Sequence, residues 1–135
     1  MRRFLPVLTG LLTAAAIAAP TASAGSPHFI DNAFSVSSAG NTLTVSGKEA
    51  GLGDEAQIHV VLTATAECIN GGGDHPKATN KTSVSAAGDF PVQNGKAEFT
   101  LTATAVFQPE CAPPMTVRFS DITVTDETNG LTETF

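Results

Sequence analysis

From Gln57 to Ile69 the chain alternates between apolar and polar positions. Ile58, Val60, Leu62, Ala64, Ala66 and Cys68 share one parity and His59, Thr63, Thr65 and Glu67 the other, with Val61 and Ile69 as apolar exceptions. Successive side chains of a strand point to opposite faces, so a period of two predicts a long strand with one buried face. Glu98 to Gln108 repeats the pattern, with Phe99, Leu101, Ala103, Ala105 and Phe107 inward and Glu98, Thr100, Thr102, Thr104 and Gln108 outward. Both stretches contain Leu-Thr-Ala-Thr-Ala, at 62–66 and 101–105. Their flanking residues differ, and equivalent strands of one domain account for the pentapeptide without an internal duplication.

Shorter strands are predicted over Phe29–Val36, Thr42–Ser46, Thr82–Ser85, Asp89–Val92, Met115–Thr125 and Leu131–Phe135. Glycine-bearing turns punctuate them at Ala39-Gly40-Asn41, Ala87-Gly88, Asn94-Gly95 and Asn129-Gly130. Within Met115–Thr125 the inward parity of Met115, Val117 and Phe119 passes to Ile122 and Val124, which predicts a bulge or a change of sheet near Ser120-Asp121. No segment carries a helical period. The pattern predicts an all-β fold, an antiparallel immunoglobulin-like β-sandwich of about 7–8 strands. The inward alanines leave shallow ground over which Phe34, Phe90 and Phe119 are expected to interdigitate.

The two cysteines, Cys68 and Cys111, are expected to pair, since an even number in a small exported domain forms disulfides. Closing so long a loop stabilises by on the order of 4 kcal/mol in chain-entropy bookkeeping. A bond requires the Cα atoms to lie within about 4.4–6.8 Å, so the two long strands must finish at one pole. That pole carries the loops 70–81 and 109–114, beside the Ser38–Asn41 turn. The opposite pole receives Lys48–Glu55, the Gly88 and Gly95 turns and Asp126–Gly130.

Export is read from the start of the chain. Arg2 and Arg3 form a basic head, Leu5–Ala19 is mostly apolar, and Ala22-Ser23-Ala24 has the small residues that signal peptidase requires. The apolar run is shorter than the roughly 20 residues of a spanning helix and is interrupted by Pro6, Thr9 and Thr13. Residues 1–24 are therefore expected to be a signal peptide and 25–135 a single secreted domain, with no membrane attachment after cleavage. Losing Arg2 and Arg3 makes the formal charge of −6 two units more negative. An acidic chain without Trp or Tyr is a poor binder of nucleic acid, which needs a basic surface and stacking platforms.

Candidate chemistry is sparse. The loop Asn70–Lys81 has three consecutive glycines and the charged or polar groups Asn70, Asp74, His75, Lys77 and Lys81. It lacks a phosphate-loop signature, and adjacent Asp74 and His75 do not give the geometry of a catalytic triad. A recognition loop or a solvated connector remains. The segment Pro109–Met115, with Glu110 and Cys111, is stiffened by proline and a disulfide, as inhibitor loops are. Its plainer reading is a kinked connector. Glu49, Asp54, Glu55, Asp89, Asp126 and Glu127 gather at the far pole, where a solvated acidic rim is expected in the absence of an Asp-x-Asp ligand run. Three histidines without a cysteine cluster give no metal centre, and no cofactor is expected.

The fragments Cys68-Ile69-Asn70-Gly71-Gly72, His75-Pro76-Lys77-Ala78, Asn80-Lys81, Asp89-Phe90-Pro91-Val92, Cys111-Ala112-Pro113-Pro114-Met115, Val124-Thr125-Asp126 and Thr128-Asn129-Gly130 together resemble the small exported proteins of uncharacterised function found in actinobacteria such as streptomycetes. The resemblance spans most of the chain from Cys68 onward. It implies a bacterial secreted protein and carries over no catalytic or binding residue. A superficial likeness of the 109–115 segment to streptomycete subtilisin inhibitors ends at the loop, which those proteins hold with more than one disulfide. The expected function is a non-enzymatic binding or surface-associated module whose partner is an extracellular protein or a cell-wall component. A protease inhibitor presenting the 109–115 loop is the alternative, and a small extracellular hydrolase the second.

Cleavage after Ala24 leaves Gly25 as the mature N-terminus. Intact-mass spectrometry of culture supernatant checks this, and a secreted form retaining Met1 contradicts it.

Overall fold

The computed structural model describes residues 25–70 and 80–135. The expected leader, 1–24, and the loop residues Asp74, His75 and Lys77 lie outside the described residues. Among the described residues eight strands form two antiparallel sheets: β1 (His28–Phe29), β2 (Ser35–Ala39), β3 (Thr42–Ala50), β4 (Gln57–Ile69), β5 (Lys81–Pro91), β6 (Ala97–Thr104), β7 (Thr116–Asp126) and β8 (Leu131–Thr134). In the first sheet β3 is central, with β6 on one edge and β1 and β2 following one another along the other. The second runs β5-β4-β7-β8. Lettered in chain order from β2 as A, B, C, C′, E, F and G, the strands give A-B-E facing C′-C-F-G, an immunoglobulin-like arrangement.

The two alternating stretches become the strands that fill the core. Ile58, Val60, Leu62, Ala64, Ala66 and Cys68 on β4 are all buried. From the other sheet come Ala97, Phe99, Leu101 and Ala103 of β6, with Leu43 and Val45 of β3. Phe99 is the hub of the aromatic packing, with ring centroids 6.0 Å from Phe29, 6.1 Å from Phe34 and 6.0 Å from Phe90. Phe34, Phe90 and Phe119 all pack half-buried against this core, as expected.

The predicted parity change in β7 is a bulge. Its register against β4 slips between Thr63 and Thr65, and Asp121 takes a φ of 50°. Four other expectations are corrected. Phe29–Val36 is not one strand: a 3-10 turn at Asp31–Ala33 separates β1 from β2. Thr42–Ser46 continues to Ala50, while the β6 stretch stops at Thr104 rather than Gln108. Thr82–Ser85 and Asp89–Val92 are one strand, β5, so Ala87-Gly88 is not a turn. Gly88 keeps the inward parity of Val84, Ala86 and Phe90, and a Cβ there would stand 3.1 Å from the Phe90 ring and 3.5 Å from Leu101. Its smallness serves packing, whereas Gly40, Gly95 and Gly130 occupy true turns at positive φ.

Replacing Phe99 with Ala is expected to cost about 3–5 kcal/mol, the range for a buried phenylalanine, and Phe119→Ala, half-exposed, distinctly less. Urea or guanidinium melts of the two variants check the order.

Candidate functional site

Cys68 and Cys111 are bonded, with Cα atoms 5.8 Å apart. The bond ties the end of β4 to the connection that carries the chain from β6 in one sheet to β7 in the other. Beside it the sheets open into a groove of about 770 Å³. One wall is the β2–β3 turn, with Ser38, Gly40 and Asn41; the floor is Ala105–Gln108; the other wall is Glu110, Cys111, Pro113 and Met115–Val117. The disulfide, the 109–114 segment and the Ser38–Asn41 turn share the expected pole.

Local hydrogen bonds set the groove's shape. The Ala105 amide donates to the Asn41 carbonyl at 2.8 Å, and the Asn41 side-chain amide returns a bond to the Ala105 carbonyl at 3.1 Å. These fasten the strand leaving β6 to the β2–β3 turn. Beyond that clasp Val106 is 69% exposed. Across the groove the Met115 amide donates to the Ala112 carbonyl at 3.0 Å, closing a turn, so the 109–115 segment is not extended along its length. The Met115 sulfur lies 3.7 Å from Cys68 Sγ and lays its apolar side chain over the disulfide.

Of the residues singled out in the sequence, Glu110 lines the groove. Asn70 is exposed just past the end of β4. Lys81 opens β5 opposite Glu67 and forms an ion pair with it at 3.2 Å, a cross-strand contact on the outer face of the sheet. Met115 belongs to the 109–115 segment considered in the sequence; the apolar lining by Phe107 and Val117 was not singled out as part of a site, although the alternation of their stretches gave both an inward parity.

The far pole departs from the expected solvated rim. Leu52 and Gly95 join there through a backbone bond, and Glu55 and Asn129 through a side-chain bond at 3.1 Å. Glu49 and Asp126 are both 0% exposed. They come from opposite sheets, Glu49 continuing the inward parity of Leu43 and Val45 on β3, and Asp126 that of Val124 on β7. Asp126 is well supplied with donors: its Oδ1 accepts the amides of Thr128 at 2.8 Å and Asn129 at 3.3 Å, and its Oδ2 the Asn129 side-chain amide at 2.7 Å. Neither oxygen of Glu49 has a donor.

This asymmetry decides where a proton sits. Two facing carboxylates have nothing to donate to each other; a protonated Glu49 donates to Asp126. Burial, the hydrogen bond with Asp126 and the nearby charges of Asp126 and Glu55 push the Glu49 carboxyl up from 4.5 to about 9. The proton thus rests on the residue without amide donors. Among the described residues no three His, Cys, Asp or Glu side chains are placed to hold a metal ion.

His59, on the outer face of β4, stands above the same region. Its Nδ1 lies 2.8 Å from Asp89 Oδ1 and its Nε2 3.8 Å from Glu127 Oε2. The hydrogen bond to Asp89, aided by the charges of Asp89, Glu127 and Asp126, raises its pKa despite an opposing contribution from desolvation. Its backbone amide donates to Thr128 Oγ1 at 2.9 Å, and its carbonyl accepts the Glu127 amide at 2.9 Å. The turn after β7 is therefore held twice, by the Asp126 carboxylate from within and by the His59 backbone along the strand edge. No protein-family model, curated protein or solved structure matches the chain.

The buried acid predicts a pH dependence. Folded Glu49 keeps its proton up to about pH 9, whereas the unfolded group loses it near 4.5. The folded state binds more protons throughout that interval, so stability falls as pH rises across it, by up to about 1.4 kcal/mol per pH unit. Glu49→Gln supplies a neutral donor to Asp126 at every pH. It is expected to be more stable than the parent by on the order of 3 kcal/mol near pH 7, and indistinguishable from it near pH 4. Denaturant melts from pH 4 to 9 check both the sign and the flattened profile.

Proposed function

We propose that the protein is an exported, non-catalytic recognition module of the actinobacterial type it resembles. It takes an extracellular protein or a cell-wall component in the groove at the disulfide pole. The observation that carries this reading is the groove itself: a concavity of about 770 Å³ set between two sheets and braced by a covalent bond. Recognition surfaces work best when their shape is fixed before the ligand arrives, because less freedom is lost on binding. The lining mixes exposed Val106 and half-buried Phe107 and Val117 with Ser38, Asn41, Gln108 and Thr116. That suits a ligand with both apolar and hydrogen-bonding groups. Glu110 supplies negative charge to the lining. Export is supported by the leader's anatomy and agrees with a disulfide and with the lack, among the described residues, of a helix able to cross a membrane. The closed turn at Ala112–Met115 weighs against an inhibitor loop, which needs an extended backbone to enter a protease.

Immobilised protein incubated with the secreted proteins and cell-wall fraction of the producing organism identifies the ligand. Val106→Glu, placed on the groove floor at an exposed side chain, is expected to weaken capture more than about tenfold, as loss of an interface anchor does, with the melting temperature unchanged. Undiminished capture by this variant, with loss in a triple Ala variant at Asp74, His75 and Lys77, moves the site to the 70–81 loop and overturns the groove reading.

A further inference from the structure

We infer that the groove takes its ligand as an added strand: an extended segment of a partner protein, apolar at alternate positions and acidic between them, pairs with the outer edge of β7 over Thr116–Ser120. The inference rests on the groove reading above and names the kind of ligand. Strand β7 is paired unequally along its two edges. Against β4 it pairs from Thr116 to Asp126, whereas β8 covers only Thr123–Asp126, with one more bond from the Phe135 amide to the Ile122 carbonyl at 2.9 Å. From Thr116 to Ser120 the outer edge has no partner among the described residues. Alternate residues of a strand aim their N–H and C=O groups at opposite edges, so this length of about 17 Å offers main-chain donors and acceptors to a further strand.

The inner faces are open at the same place. Val117 stands opposite Cys68 and Phe119 opposite Ala66, so both are on the core side, yet both are only half-buried. In the other sheet Val36 pairs with Val45 and Ser38 with Leu43, which puts them on the core side too, and both are exposed although Val45 and Leu43 are sealed. Phe34, leading into β2, packs on Phe135 with ring centroids 4.9 Å apart, so β2 lies over the line that β8 follows. Ser38 and Val117 line the groove from its two walls. A strand laid along Thr116–Ser120 continues the line of β8, and its inward side chains enter the sandwich between β2 and β7.

Charge selects the occupant. On the outer face Lys81 of β5, Glu67 of β4 and Arg118 of β7 form one cross-strand row: Lys81 is ion-paired to Glu67 at 3.2 Å, and Arg118 is registered opposite Glu67. The row alternates in sign and ends on Arg118, exposed at the unpaired edge. A carboxylate on the next strand continues it. A second copy of this chain fits less well, because two β7 edges in antiparallel register about Arg118 bring like charges together, and β2, Ser35–Ala39, has no acidic residue to offer. A glycan has no main chain with which to continue the ladder.

Phage-displayed random dodecapeptides selected on the immobilised protein supply the probe, and the enriched peptides are synthesised and added to isotope-labelled protein for amide exchange. Enriched sequences are expected to alternate apolar and polar residues, with Asp or Glu among the polar ones. They are expected to slow exchange at the outward amides of Thr116–Ser120 by about tenfold or more, leaving the outer edge of β5 unchanged. Arg118→Glu is expected to weaken the peptide about fivefold, the worth of a cross-strand ion pair turned to repulsion, and a peptide with Lys in place of its acidic residue to recover the loss. Failure to enrich any sequence, peptides that leave the 116–120 amides unprotected, unaltered affinity in Arg118→Glu, or a dimer that protects those amides without peptide overturns the inference. Capture of the natural ligand separates the two readings. Loss in Val106→Glu with full retention in Arg118→Glu keeps the groove and strikes the added strand, whereas undiminished capture in Val106→Glu strikes the groove itself.

Discussion

The fold is organised by β4. Among the described residues it is the only strand of its sheet that is hydrogen-bonded along both edges over most of its length, to β5 on one side and β7 on the other, and its six inward side chains are buried without a break. Those two conditions fix each other. A slip of one residue in pairing would turn the whole apolar set to solvent, so register is held by the core and the core by register. The single place where register does slip, opposite Thr63–Thr65, is absorbed by the neighbour: β7 bulges at Asp121 while β4 stays regular.

Both regions of chemical interest are placed by the ends of this strand. At its C-terminal end Cys68 captures the crossing connection between the sheets, and the groove forms because that connection is held away from the β2–β3 turn. Near its N-terminal end Val60 pairs with Asp126, which brings the end of β7 under the last residues of β3 and makes Glu49 meet a carboxylate. One pole is thus closed by a covalent bond between thiols and the other by a polar contact between acids. The first is indifferent to protons, the second depends on them.

The sequence made the strands legible where the two faces differ in polarity. In β4 and β6 threonine alternates with alanine and larger hydrophobes, and periodicity alone located the core. Gly88 was misread because glycine marks turns far more often than it marks a close ring; the ring of Phe90, two residues along the same strand, and Leu101 from the opposite sheet explain it. The acid pair was misread for a different reason. Charged side chains near strand ends normally reach water, and the rule concealed a parity signal that was present: Glu49 stands six residues after Leu43, and Asp126 two after Val124, each on the inward count. The length of β3 hid the first, since a strand stopped at Ser46 never reaches Glu49. The groove was legible as a neighbourhood, from the disulfide and the turns it gathers, but its depth depends on how far the sheets splay, which no local pattern encodes.

Strand β2 leaves a further trace. All five of its residues, Ser35–Ala39, are exposed on both faces; its outer edge has no partner among the described strands, and it carries no lysine or proline to repel a second strand. Val36, at 40% exposure, adds an apolar foothold. What separates one molecule from another is then not a local guard but the shared negative charge of the whole particle. Such repulsion reaches only about 10 Å at 0.1 M salt and shrinks as ionic strength rises. The colloidal behaviour of the protein is therefore set by its solvent ions more than by the shape of its surface, and dilute buffer is the medium in which its molecules stay apart.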